Sequence, residues 1–319
     1  MQRKANKSFM SNIITTKNKF LIVVAGPTGV GKSAFSMKIA SSYNAEIFSA
    51  DSRQIYQEMS IGTAKPSKED LKNIRHHFID EISVTETYSV GRFVADFHKK
   101  LHQFFLTKNI AVVTGGTGLY INAALEGMDV FPDVPEVISM EVNKWYQDFG
   151  LKYIQDELLR LDPEYYQIVD NQNPRRILRA LEVIYYTGKP YSAFLGQSSA
   201  KALHCHVIQI LLDLPREILY DKINKRVDQM IKEGLEDEAR SLYQFKHFRA
   251  LQTVGYSEMF DYFEGKHDVS RAVDLIKQNS RRYAKRQITW FKKHGAWHRF
   301  HPEDEDKIFK LISEEISIF

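Results

Sequence analysis

The stretch FLIVVAGPTGVGKSAFSMKIA, Phe20 to Ala40, constrains the fold more than any other part of the chain. An apolar run, Phe20–Ala25, meets Gly26-Pro27-Thr28-Gly29-Val30-Gly31-Lys32-Ser33, which fits G-x-x-x-x-G-K-[ST] and leads into a helical pattern. Strand, glycine-rich turn and helix in that order make a phosphate-binding loop of the nucleotide-binding (ATP-binding) type. The glycines let the backbone curl so that successive N–H groups face anionic oxygens. The helix starting near Lys32 adds the positive end of its dipole. Lys32 brings a mobile positive charge, and the Ser33 hydroxyl is a natural magnesium ligand. A polyphosphate is expected here, but the loop does not say which one.

Apolar runs recur at Ala45–Ser49, Ile110–Thr114 and His206–Leu212, with helix-like segments between the early ones. The pattern GRFVADFHKKLHQFFL, residues 91–106, is amphipathic and precedes the third run. This is the arrangement of crossover-linked parallel strands covered by helices, an α/β core. From Val134 to Ala200 the texture turns helical, broken by Pro163, Pro174, Gly188 and Pro190. The chain therefore divides into a core of residues 20–133 and 201–319 and an all-helical insertion of residues 134–200.

With 319 residues, 43% hydrophobic and 26% charged, the chain has ample core and is not disordered in composition. No apolar run approaches the roughly 18–20 residues that cross a bilayer. Cys205 is the only cysteine, which excludes an intramolecular disulfide and a multi-cysteine zinc site and fits a cytoplasmic setting. The first nineteen residues carry five cations and no acid and read as a flexible basic leader. Net charge is only +4, yet residues 271–299 hold nine Lys or Arg against Asp274 alone. Such a segment is either a solvated helix face or a nucleic-acid contact.

A carboxylate stands at the end of the second run, Asp51 in SADSRQIY, while the third run ends without one, in Thr114-Gly115-Gly116-Thr117-Gly118. Strand ends in a doubly wound sheet border one crevice, so Asp51 and Thr117 are expected to face the phosphate site together. Asp51 could instead cap a turn, and the glycines could form a simple bend. His76-His77 and His204/His206 suit strand faces better than a metal pair.

Taken in order, GPTGVGKS (26–33), ADSRQIYQEMSIGTAKPS (50–67), GGTGLYINAALEG (115–127), RRILRALEVIYYTGKP (175–190), RVDQMIKEGLEDEA (226–239), LQTVGYSE (251–258) and RRYAKRQITWFKK (281–293) resemble the tRNA dimethylallyltransferase, or tRNA isopentenyltransferase, family. Together they cover most of the chain from Phe20 to Lys293. The resemblance implies a P-loop NTPase-like core and transfer of a dimethylallyl group from its diphosphate to N6 of adenine 37, in tRNAs that read codons beginning with U. The loop would then hold a leaving group, with no nucleotide hydrolysed. Asp51 and Thr117 fall on the family's catalytic positions, as general base and as a hydroxyl that orients the carboxylate or the adenine.

Arg226 falls on a pyrophosphate-contacting arginine, although a surface ion pair with Asp228 or Glu233 would also suit it. Ser52, Arg53 and Gln54, with Asp51 and Thr117, would recognise nucleotides around the target. Arg175, Arg176, Ile177, Leu178 and Arg179 would meet the anticodon stem. Arg281, Arg282, Lys285 and Arg286 share a helical flank suited to RNA, with Tyr283, Trp290 and Phe291 either stacking on bases or packing inward. Ile138 departs from a basic tRNA contact that bacterial members keep nearby. The implied cofactor is Mg2+ and the implied partners are the tRNA anticodon stem-loop and dimethylallyl diphosphate, with a monomeric chain. The lone cysteine leaves no room for the zinc finger of eukaryotic members, so the resemblance is to the bacterial type. Two other classes explain parts of the pattern. One is a small-molecule or nucleotide kinase with Asp51 activating a hydroxyl; the other is an RNA-binding protein with a regulatory nucleotide site.

Overall fold

A computed structural model of the chain describes residues 19–197 and 203–318. The leader expected at the N-terminus, all but Lys19, lies outside the described residues. Among the described residues six strands form one sheet in the order β3-β2-β4-β1-β5-β6, and every pairing is parallel. They are β1 (Phe20–Ala25), β2 (Ile47–Ser49), β3 (His76–His77), β4 (Ile110–Gly115), β5 (His206–Leu212) and β6 (His298–Phe300). Every residue of β1 is buried, because parallel strands linked through helices are covered on both faces. In register, Phe20 pairs with Ile110 on one side and His206 on the other, and Ala25 with Gly115 and Leu211. This fold is P-loop-like, as expected. The edge strands β3 and β6 have no apolar signature of their own and take their conformation from pairing with β2 and β5.

The helices of this unit are α1 (Lys32–Ser42), α2 (Lys68–Asn73), α3 (Val90–Phe104), α4 (Gly118–Glu126), α8 (Arg216–Lys232), α9 (Leu235–Leu242), α10 (Tyr256–Phe263), α11 (Val269–Lys293) and α12 (Glu305–Ser317). The core on one sheet face joins Ile22, Val24, Phe35, Ile39, Ile210 and Ala284 with Leu219 and Ile223 of α8 and Ile308 and Ile312 of α12. Helix starts are fixed locally: Ser89 Oγ accepts from Arg92 N, and the Asp268 side chain from Arg271 N.

Residues 126–201 form a second compact unit. It contains α5 (Glu136–Leu161), α6 (Pro163–Ile168) and α7 (Pro174–Thr187). Its core is Val142, Ile154, Leu158, Ile177, Leu178 and Leu181. The unit reaches further back than the 134 expected from sequence texture, because Phe131 stacks on Tyr191 at 4.4 Å. Inside it, the buried Asp162 carboxylate accepts from Tyr165 N (3.0 Å), Ser192 N (2.7 Å) and Ser192 Oγ (2.9 Å). No helix among the described residues is long and apolar enough to cross a membrane.

Candidate active site

The phosphate loop leaves β1 at Ala25 and enters α1 at Lys32, with Gly31 in the left-handed region at φ 107°. Lys32 Nζ donates to Pro27 O at 2.7 Å, which folds the ammonium over the loop. Arg226, on α8, donates from Nη1 to Thr28 Oγ1 at 3.1 Å. The expected alternative for Arg226, an ion pair with Asp228 or Glu233, is not what the structure contains: Asp228 pairs with Lys277, and Glu233 accepts from Gln229. Burial pushes Lys32 down to about 7, helped by the charge of Arg226 and opposed by Asp51. Burial also lowers Arg226, again against the pull of Asp51. Two desolvated cations with one carboxylate near them leave an excess of positive charge that an anion would neutralise.

Asp51 follows β2. Its Oδ1 accepts from Arg53 N at 2.8 Å and Gln54 N at 3.4 Å, so the residue does cap a turn. The capping is also what points the carboxylate, since Asp51 lines a cavity of about 210 Å³. Thr28, Arg53, Arg226 and Tyr283 give this cavity polar wall, and Ile223, Val227, Met230, Val254 and Ile276 give it an apolar one. Thr117 is tied to both flanks: its Oγ1 accepts from Ser52 N at 3.3 Å, and its side chain is hydrogen bonded to the Tyr283 phenol. Thr28 of the phosphate loop and Asp51 thus line one cavity, and Thr117 stands behind its wall, bonded to Ser52 and Tyr283. No carboxylate ends β4, and no cluster of three or more potential metal-ligating His, Cys, Asp or Glu side chains occurs among the described residues.

Several expected RNA contacts are placed differently. Gln54 is occupied within the fold: its Oε1 accepts from Ser49 Oγ at 3.0 Å, and its Nε2 donates to Thr63 O and Ala64 O at 3.2 Å each. Its amide holds a loop in place. Ile177 and Leu178 are 0% and 7% exposed in the helical unit's core, which corrects their expected role as RNA contacts. Arg175 and Arg176 are exposed, whereas Arg179 is engaged with Glu182 and with Pro132 O. On α11, Arg281 docks against Asn224 of α8 at 2.6 Å, so the cationic flank reduces to Arg282, Lys285 and Arg286, all exposed. Phe291 is buried and Trp290 packs against Gly118, while Tyr283 faces the cavity. Ile138 packs on the helical unit's core. Of the histidines, His77 pairs with Glu46 at 2.7 Å and His206 with Glu315 at 2.8 Å.

Two residues of the site lie within the quoted family strings, yet nothing in those strings singled them out. Glu238 of α9 accepts from the successive amides of Ser60 (3.0 Å), Ile61 (2.8 Å) and Gly62 (2.9 Å), and from the Tyr256 hydroxyl at 2.7 Å. It fixes the loop that brings Gly62 and Thr63 to the cavity. Gln287 of α11, 6% exposed, reaches both the phosphate loop and the loop after β4.

Comparison with known proteins gives the family. A family model described as IPP transferase matches residues 54–294. The chain is 46% identical over 302 residues to a tRNA dimethylallyltransferase of Christiangramia forsetii, covering 94% of this chain and 99% of that one. It is 42% identical over 292 residues to tRNA dimethylallyltransferase 1 of Bacteroides thetaiotaomicron, covering 92% and 94%. Among solved structures, a tRNA isopentenylpyrophosphate transferase of Bacillus halodurans superposes with a TM-score of 0.68 at 34% identity, covering 94% and 97%. A eukaryotic dimethylallyltransferase acting on tRNA shares the fold, with a TM-score of 0.73 at 24% identity over 90% of this chain and 75% of that one.

Proposed function

The chain belongs to the IPP transferase family, and we propose that its phosphate loop grips the diphosphate of dimethylallyl diphosphate while Asp51 faces N6 of adenine 37 in tRNA. The chain is an enzyme that transfers a dimethylallyl group to tRNA. The single observation that carries the residue assignment is one cavity lined by Thr28 and Arg226, which are bonded to each other, by Asp51, and by an apolar wall. A prenyl diphosphate has that same division between an anionic head and a hydrocarbon tail.

An exocyclic adenine amine is a weak nucleophile because its lone pair is delocalised into the ring. Ionisation of the donor is therefore assisted from the leaving-group side. The loop amides, Lys32 and Arg226 stabilise charge growing on the departing diphosphate, leaving an allylic carbon with cationic character. As the carbon–nitrogen bond forms, Asp51 accepts the N6 proton. Thr117, held by Ser52 N and by Tyr283, keeps the carboxylate's surroundings fixed.

The donor set suits Mg2+: the exposed Ser33 hydroxyl plus diphosphate oxygens and water give hard oxygen ligands without a protein cage. Bound there, the ion would offset diphosphate charge. The adenine has to leave its stack to reach Asp51, at a cost of a few kcal/mol that backbone-gripping cations offset. The exposed Arg282, Lys285 and Arg286, and Arg175 and Arg176 of the helical unit, are the groups proposed to grip the anticodon stem-loop.

The direct test incubates the protein with magnesium, dimethylallyl diphosphate and unmodified tRNA, then digests the RNA and seeks N6-dimethylallyladenosine by mass spectrometry. A phosphorylated small molecule made from ATP, with no prenylated tRNA, would return the case to a kinase. The kinase reading has no use for the apolar wall, and the family match does not favour it.

A further inference from the structure

The helix α11 meets the crevice through Tyr283, Gln287 and Trp290, which share one face at i, i+4 and i+7. Each engages the loop after β4. Tyr283 bonds the Thr117 side chain, Trp290 fills the space at Gly118, and Gln287 Nε2 donates to Gly116 O at 2.9 Å. Gln287 alone also reaches the other side: its Oε1 accepts from Thr28 N, again at 2.9 Å. Thr28 belongs to the phosphate loop and Gly116 precedes Thr117, whose hydroxyl is bonded to the backbone beside Asp51. One buried amide thus connects the leaving-group side of the crevice with the accepting side.

We propose that Gln287 is a positioning residue that sets the separation of the phosphate loop from the Asp51–Thr117 loop, through paired hydrogen bonds to Thr28 N–H and Gly116 C=O. This deepens the prenyl-transfer reading and rests on it for the kinetic outcome. A tip with both a donor and an acceptor is required, which a neutral amide supplies. Glutamate in its place would set a carboxylate oxygen against the Gly116 carbonyl, and methionine would keep the length while making neither bond. Gly116 is part of the same device: a Cβ there would stand 2.3 Å from Gln287 Nε2, so a side chain would push the helix or the loop away. Engagement by Gln287 also removes the Thr28 amide from the set that faces an anion, leaving the later amides of the loop to do so. Misplacement of reacting groups by about 1 Å can cost on the order of 10²-fold in rate, so a spacer between two loops acts on turnover more than on binding.

Full-length Gln287→Met and Gln287→Glu are compared with the wild type in two measurements. Hydrogen–deuterium exchange follows peptides covering residues 26–33 and 114–120, and steady-state assays separate kcat from the KM of each substrate. Gln287→Met should speed exchange in the phosphate-loop peptide and lower kcat by about 10–100-fold, with the KM for tRNA within about twofold; the Thr28 N–H and Gly116 C=O left without their partner also lower the melting temperature. Gln287→Glu should be at least as impaired. Should either variant fail to fold, Gln287→Asn, with the same amide on a shorter stem, is measured instead and should show the same split. Unchanged exchange together with kcat within twofold of wild type overturns the proposal, as does a loss confined to KM. If the wild type itself forms no prenylated tRNA, the prenyl-transfer reading falls, and the exchange data still decide whether Gln287 orders the loops.

Discussion

At the scale of single residues, the site is an electrostatic imbalance held in place by backbone. Lys32 and Arg226 are both desolvated and repel each other, and the Asp51 carboxylate only partly offsets them. With Lys32 near 7, its neutral form predominates above that pH in the unliganded protein, and an arriving diphosphate restores the proton. Calorimetry of diphosphate binding in buffers of different ionisation enthalpy should show uptake of close to one proton at about pH 8 and much less at about pH 6. Equal uptake at both would mean that Lys32 is not the titrating group. Asp51 has a different task. Asp51→Ala should lower turnover by about 10²–10⁴-fold, the range for loss of a general base, while diphosphate binding survives. Near-normal turnover would refute its role. Loop, Lys32, Asp51 and Thr117 were readable from sequence because each sits in a short local string whose geometry the backbone repeats wherever it occurs.

At the scale of elements, the loops around the cavity are set by distant side chains. Glu238 gathers three successive amides of the Ser60–Gly62 turn, which otherwise would have few partners. Glu238→Ala should destabilise the fold by on the order of 3 kcal/mol, because charge-assisted bonds to amides are lost together. Chemical denaturation that places the variant within error of wild type would contradict this. The outer face of α11 carries the RNA expectation. Replacing Arg282, Lys285 and Arg286 together should weaken tRNA binding and reduce the slope of log affinity against log salt by about 2–3. An unaltered slope would place the RNA elsewhere. The tasks of Gln287 and Glu238 were not legible, although both lie in the family strings: the backbone groups they bind are 171 to 259 and 176 to 178 residues away, and a Gln or Glu in a helix has no local mark of such a task. The same blindness explains Gln54, whose neighbours in sequence suggested nucleotide recognition while its amide was already committed to Ser49, Thr63 and Ala64.

At the scale of the whole molecule, ligand binding and folding are linked. Diphosphate bound only by the native state at about 100 times its dissociation constant should add about 2.7 kcal/mol of stability, read as a rise in melting temperature. Lys32→Ala should lose most of that rise. The helical unit is stabilised by its own core, so exposed Arg175 and Arg176 can be replaced without unfolding it.

The order of apolar runs, the glycine-rich turn and the family strings by themselves determined a parallel α/β core, a phosphate site and an acid beside it. Those features depend on contacts between near neighbours in the chain and on strand periodicity, which any reader of the sequence can recover. Tertiary structure alone decided which polar groups were left over for substrate. Whether Arg226 meets an acid or Thr28, whether Arg281 faces solvent or Asn224, and whether Ile177 is surface or core depend on which elements pack together. Hydrogen-bonding capacity is finite, and packing determines where it is used.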